Sequence, residues 1–277
     1  MATALLFSTG GAAIKAATLN GWQVASFRSA VAAVALLAGL PEARRGWSWR
    51  VVPVAGAYAA TLVLFVLANR LTTAANAVFL QSTAPLYLLF LAPWLLREPV
   101  RVRDLLCAAA VAGGVALLFI GSERSVATAP DPRHGNLIGV ASGLAWALTM
   151  TGLRWLCRDA IPGKPHNPAL ATVALGNVLA FLVTLPLALP ASSIRASDVA
   201  VILYLGVVQI GLAYFLLTRA VRHVPAFEAT VVLLLEPVMN PVWAWLVHGE
   251  RPGPWALTGG AIILSAALAK SWAQARR

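Results

Sequence analysis

Ten apolar runs, most of them close to the roughly 20 residues that a membrane-crossing helix needs, constrain this chain more than any other feature. They cover residues 2–18, 22–40, 51–69, 73–96, 104–121, 136–157, 168–189, 198–218, 225–248 and 254–272, bounded by charge, proline and glycine. Little of the 277-residue chain remains for anything but short links. With 60% hydrophobic and only 11% charged residues, an ordinary soluble enzyme and a disordered protein are both excluded. The expected fold is all-α and integral to the membrane, with ten transmembrane helices. The first run starts at Ala2 with no basic segment before it, so no cleavable signal peptide is expected.

The net charge of +11 comes from 21 bases against 10 acids. The bases form no block and no nucleic-acid-binding motif, so nucleic acid is not the expected partner. They report topology instead. With the N-terminus in the cytoplasm, fourteen bases fall in inner links and the C-terminal tail, and five (Arg70, Arg124, Arg133, Arg195 and Arg251) in outer links. That asymmetry predicts both termini inside. Most tryptophans sit at run ends, where an amphipathic ring prefers the interface; Trp146 falls mid-run instead.

The chain also repeats itself. "TAPLYLLFLAPWLLREPV" (83–100) parallels "LEPVMNPVWAWLVHGERP" (235–252): Pro85 precedes Glu98 by 13 residues, as Pro237 precedes Glu250, at an offset of 152. The same offset pairs Ala68 with Ala220 and Arg70 with Arg222. The expected organisation is two five-helix repeats, 1–121 and 136–277, joined by a link at 122–135. An odd-numbered unit copied in tandem inserts the second copy upside down. The inverted-topology repeat that results is characteristic of secondary transporters.

"LLLEPVMNPVWAWLVHGERP", preceded by "AYFLLTRAVRHVPAFEA", together with "QSTAPLYLLFLAPWLLREP" and "ASFRSAVAA", resembles the ten-helix EamA-type branch of the drug/metabolite transporter superfamily over essentially the whole chain. The nearest likeness is to bacterial exporters of amino acids, aromatic ones included. The resemblance implies alternating access without ATP, a cavity lined by spans 1, 3, 4, 6, 8 and 9, and residence in the bacterial cytoplasmic (inner) membrane. The first span, "LLFSTGGAAIK", lacks the Trp-Gly pair of many members, so no contact is carried over there.

Candidate site residues follow from polarity and aromaticity at depth. Trp146, Phe79 and Tyr214 are mid-span aromatics; they line a cavity or simply pack. Ser82, Gln209, Thr149 and Asn76 offer hydrogen bonds where polar groups must face protein or water. Lys15 either snorkels to the surface or holds a substrate carboxylate. Glu236 and Glu228 are candidate proton or substrate sites, Glu236 alternatively being a protonated acid bonded at a kink. Arg28 reads as a structural pairing more readily than as a substrate contact. Pro85 and Pro237 are the expected hinges. Gly135, Gly139 and Gly143 form a smooth stripe for close helix packing.

No phosphate-binding loop, metal-ligand cluster or nucleophile elbow is present in the sequence, so no cofactor, metal or catalytic residue is expected. The expected function is secondary transport of small organic solutes, foremost amino-acid export. The alternatives are a permease for sugars, nucleosides or drugs and a non-transporting membrane scaffold. The expected partners are the solute and the bilayer; a monomer suffices, and the sequence leaves oligomers open.

Overall fold

A computed structural model describes residues 1–91, 93–94, 102–121, 125–158, 168–191, 194–220 and 233–275. Among these, the regular elements are helical: α1 (Ala2–Ser8), α2 (Gly10–Ala16), α3 (Gly21–Gly39), α4 (Val51–Leu71), α5 (Ala74–Gln81), α6 (Ala84–Leu91), α7 (Val102–Ile120), α8 (Pro132–Arg158) and α9 (Pro168–Ala188), then α10 (Ala196–Leu203), α11 (Ala213–Ala220), α12 (Leu235–His248) and α13 (Pro254–Ala275). A π-helical stretch, Tyr204–Leu212, joins α10 to α11 without interruption. Six helices among the described residues are long and apolar enough to cross a membrane: Gly21–Gly39, Val51–Leu71, Val102–Ile120, Pro132–Leu156, Pro168–Ala188 and Ala196–Leu217.

Two of the expected spans are broken. The first divides at Thr9 into α1 and α2, and the fourth divides at Ser82–Thr83 into α5 and α6. The same pair of residue types stands at both breaks. Ser8 and Thr9 donate their hydroxyls to Leu5 O and Leu6 O at 2.7 Å each. Ser82 donates to Val78 O at 2.8 Å and Thr83 to Leu80 O at 2.6 Å. Such hydroxyls offer the carbonyls of the last turn an alternative to the helix ladder. Pro85 is therefore not itself the break. It is the second residue of α6, where its missing N–H leaves no helical bond unmade. Pro237 likewise stands in the first turn of α12, and Pro241 is the proline inside that helix.

The packing partners interleave the two halves of the chain. α4 packs on α8 and α9, α3 on α9 and on the Tyr204–Leu212 stretch, α1 and α2 on α12, α5 on α8, and α7 on α13. The expected glycine stripe makes a close contact: Gly135 abuts Thr72, Gly139 abuts Leu80, and Gly143 abuts Leu80 O and Thr83.

One end of the bundle is tied by polar contacts. Asn20 and Gln23 cap α3 reciprocally, with Gln23 N donating to Asn20 Oδ1 at 2.9 Å and Asn20 N to Gln23 Oε1 at 3.1 Å. Asp198 accepts from Thr18 N and Thr18 Oγ1, both at 2.7 Å. Arg70 donates to Ala17 O at 3.0 Å. Thr72 Oγ1 and Asn76 Nδ2 both donate to Asn136 Oδ1, at 2.8 and 3.1 Å.

Candidate functional site

The broken first span is the element around which polar side chains gather. Trp243 Nε1 donates to Ser8 Oγ at 2.9 Å, the hydroxyls of Thr9 and Tyr204 meet at 2.8 Å, and His248 Nε2 donates to Ala12 O at 2.8 Å. The side chain of Gln209 lies against Gly10, and the amide oxygens of Asn69 and Asn240 lie against Gly11. A β-carbon at Gly11 would collide with both amides and with Ala74, so glycine there permits this close approach. Asn69 and Asn240 are fully buried and Gln209 nearly so. Among the described residues, Asn69 Oδ1, Gln209 Oε1 and both polar atoms of Asn240 have no hydrogen-bond partner. Buried polar groups are normally paired, which makes these amides a marked exception.

Below this cluster lies an aromatic one. Phe7 of α1 meets Tyr214 of α11 edge-on, with centroids 5.3 Å apart and an interplanar angle of 67°. Tyr58 of α4 meets the same ring at 6.1 Å and 89°. Such T-shaped pairs suit the ring quadrupoles. Asn177 lies beside Tyr58 as well. Trp146 of α8 and Phe215 pack on the same apolar cluster. Arg28 lies alongside, 2% exposed, with Nη2 donating to Leu62 O at 3.0 Å and Nε unpartnered. Glu236, half-buried, lies within electrostatic reach of Tyr214.

The sequence candidates therefore separate. Trp146 and Tyr214 come together. Phe79 does not join them: it is buried in the other apolar cluster, its ring against Gly260 of α13. Gln209 belongs to the amide cluster at Gly10–Gly11. Thr149, 1% exposed, donates to Ala145 O at 2.9 Å and faces the Thr61 hydroxyl at 3.4 Å. Ser82 is occupied at the α5–α6 break and Asn76 in the Thr72–Asn136 network. Glu228 lies outside the described residues.

Lys15 takes neither of its expected paths. Its ammonium pairs with Glu250 Oε2 at 2.8 Å and donates to Thr72 O at 2.9 Å and to Thr128 O. The pair is buried, at 5% and 3% side-chain exposure. Gly249 puts Glu250 there. Its left-handed φ of 67° ends α12, with Gly249 N bonded to Trp245 O at 2.8 Å and Glu250 N to Ala244 O at 3.4 Å. The other carboxylate oxygen accepts from Ala74 N, the first residue of α5, at 2.5 Å.

Comparison with known proteins places this arrangement. The model of the EamA-like transporter family matches residues 1–120 and again residues 133–271. The chain belongs to the EamA-like transporter family. Among curated relatives, it is 30% identical over 186 residues to the uncharacterized transporter YetK of Bacillus subtilis (strain 168), a match covering 65% of this chain. That match spans about half, 54%, of the relative. It is 26% identical over 211 residues to an uncharacterized transporter of Archaeoglobus fulgidus, covering 75% of this chain and 71% of that one. A crystal structure 17% identical in sequence superposes on 99% of this chain and 96% of its own, with a TM-score of 0.63. The two share a fold. The EamA-like family and the transporter relatives make this a multi-pass membrane protein of the transporter class.

The sequence candidates omitted Tyr58, Phe7, Asn177, Asn69 and Asn240, and the pairing of Glu250 with Lys15. The three asparagines carried a readable signal, since a polar group in the middle of an apolar run must face protein or water. Nothing in the sequence marked Phe7 or Tyr58 apart from other apolar residues.

Proposed function

We propose that this protein is a secondary transporter that exports amino acids, aromatic ones included, by alternating access between two inverted five-helix halves. The observation that carries the reading is the convergence of Phe7, Tyr58, Trp146 and Tyr214, from both halves of the chain, on one cluster beside the break in the first span. Large rings with polar tips suit an apolar or aromatic solute. Broken helices beside such a cluster are a recurrent feature of transporter sites.

The packing supports the inverted repeat. Exchanging each span for the one five places on turns α4 against α9 into the α10–α11 span against α3, and α5 against α8 into α12 against α1 and α2. The contacts α3 with α9 and α7 with α13 map onto themselves. The charge asymmetry of the links supports cytoplasmic termini in a bacterial inner membrane. In that orientation the buried Lys15–Glu250 pair lies at the external end and acts there as a seal. Alternation requires each break to act as a hinge while that seal opens and its inner counterpart closes.

Counterflow into proteoliposomes tests the reading. Vesicles loaded with one unlabelled amino acid at a time should accumulate its labelled form, and Trp146→Ala should weaken that uptake at least tenfold. Exchange of sugars, nucleosides or cationic drugs, with none of any amino acid, would replace it with the permease alternative. No exchange of any solute by protein shown to be folded would favour the scaffold.

A further inference from the structure

Two buried amides from opposite halves of the chain converge on one point of the first span. Asn69 Oδ1 of α4 and Asn240 Oδ1 of α12 both lie within 3.0 Å of the position that a Gly11 β-carbon would take. Both residues are fully buried. Asn69 Nδ2 donates to Phe65 O at 2.9 Å, which fixes the orientation of that amide and leaves Oδ1 as its free end. Neither polar atom of Asn240 is bonded among the described residues, so its oxygen is unpartnered whichever way the amide is turned. Two acceptors that share one buried place and have no donor call for one.

The contacts around these amides lead to Lys15. Gly11 and Lys15 are four residues apart on α2, so they share a face and stand about 6 Å apart along the axis. A long side chain on a helix leans back over the turn that precedes it, and on α2 that turn carries Gly11. Ala74 joins the two levels. Its β-carbon lies 3.1 Å from the same Gly11 position, and its N–H is held by Glu250 Oε1. The Lys15 ammonium reaches the other way, to Glu250 Oε2, Thr72 O and Thr128 O.

We infer that Asn69 and Asn240 form a second seat for the Lys15 ammonium. Glu250 holds it while the external end is sealed, and as that end opens it moves one turn down α2 onto the two amide oxygens. This switch rests on the alternating-access reading above and is independent of which solute is carried. A cation that leaves its carboxylate within a bundle of spans needs other acceptors at once. Neutral amide oxygens supply them, yet bind an ammonium less strongly than a carboxylate does. The ammonium therefore returns to Glu250 when the end closes. Gly11 keeps the seat open, since any side chain there would stand against both oxygens.

The test is the reaction of a buried cysteine with a small maleimide. Ala12→Cys, in a chain whose Cys107 and Cys157 are replaced by alanine, sets a reporter at a buried position beside Gly11. The protein is labelled in lipid nanodiscs at neutral pH. Asn240→Leu, which removes an acceptor, should slow labelling at least threefold. Asn240→Asp, which offers the ammonium a carboxylate at the same place, should speed it by at least as much. Both effects should vanish in a Lys15→Met, Glu250→Gln background, where the ammonium is gone and no charge is stranded. If either Asn240 variant fails to fold, Asn69→Leu and Asn69→Asp carry the same pair of expectations. Shifts in the same direction for the leucine and aspartate variants would overturn the switch, with alternating access standing. So would unchanged labelling in folded variants, or equal shifts with and without Lys15. A reporter that reacts in the otherwise unmodified protein only on unfolding would show that this end does not open, and would overturn the switch and alternating access together.

Discussion

Lys15 Nζ and Glu250 Oε2 lie 2.8 Å apart, buried at the end of the bundle where the first and ninth spans finish, and 235 residues of sequence separate them. The pair does more than close a loop. The ammonium also bonds Thr72 O and Thr128 O, and the carboxylate also bonds Ala74 N. Four separate stretches of chain, at Lys15, Thr72–Ala74, Thr128 and Glu250, thus meet at one pair of charges. Breaking a buried pair by removing one partner strands the other, at a cost of about 3–5 kcal/mol. Lys15→Ala and Glu250→Ala should each destabilise the protein in detergent by an amount in that range, read as a lower melting temperature. A double-mutant cycle should show strong coupling, so that the double variant is less destabilised than the sum of the two. Additive losses would mean that the two residues act separately.

Asn240 should behave in the opposite way. Its amide is fully buried with neither polar atom bonded. An orphaned buried polar group costs about 1–3 kcal/mol, and an apolar group of similar shape does not incur that cost. Asn240→Leu is therefore expected to raise thermal stability while slowing solute exchange. A variant that is less stable and equally active would show that the amide is satisfied and has no part in transport.

Gly11 makes a steric prediction. A methyl group there meets the amides of Asn69 and Asn240 and the side chain of Ala74. Overpacking of this kind typically costs about 1–3 kcal/mol. Gly11→Ala should lower stability by that order, whereas alanine at Gly56, which has nothing within 4 Å, should be close to neutral. Thermal unfolding of the two variants side by side checks this.

Asp131 supplies a pH-dependent contribution outside the spans. It caps α8: His134 N donates to Oδ1 at 3.2 Å, and the His134 ring contacts Oδ2 at 2.6 Å. The backbone N–H and then the ring hold its carboxyl below the usual aspartate range. A carboxyl depressed in the folded state contributes stability above its unfolded value of 3.8, lost as pH falls through the folded one. Asp131→Asn should thus lower the melting temperature near neutrality, with the difference shrinking as pH is taken from about 6 towards about 3. The site is solvent-exposed, so the effect is small. A difference that grows on acidification would reverse the assignment.

Span positions were legible because apolar runs and their polar limits are composition, and composition survives folding. Val51–Leu71 and Pro168–Ala188 fall within two residues of their expected ends. The sequence places bends at Pro85 and Pro237, whereas the fourth span breaks just before Pro85, at Ser82–Thr83. Ser8–Thr9 and Ser82–Thr83 do the breaking, through side-chain bonds that depend on rotamer rather than on helix propensity. From the sequence Lys15 reads as a cation that snorkels or holds a substrate carboxylate, because its partner stands at the far end of the chain, a distance that no local pattern reports. Trp146 and Tyr214, chosen by depth, pack on one apolar cluster. Phe79, at similar depth, proved to pack on α13, since depth does not say which side of a helix faces the centre.

The stretch Tyr204–Leu212 has one further consequence. Its turns are wider than those of an α-helix, and its Gly206 lies directly against the carbonyl of Arg28. Hydrogen bonds in such a stretch can pass to the tighter register one carbonyl at a time, without the helix unfolding. Removing one residue of excess rotates everything beyond it by about 100° around the axis. Tyr214 is the second residue beyond, so the wall of the aromatic cluster and the register of its helix form a single mechanical variable. Winding this helix like a key would turn the Tyr214 ring against Phe7 and Tyr58, and a fluorophore at Phe215 would read the turn directly.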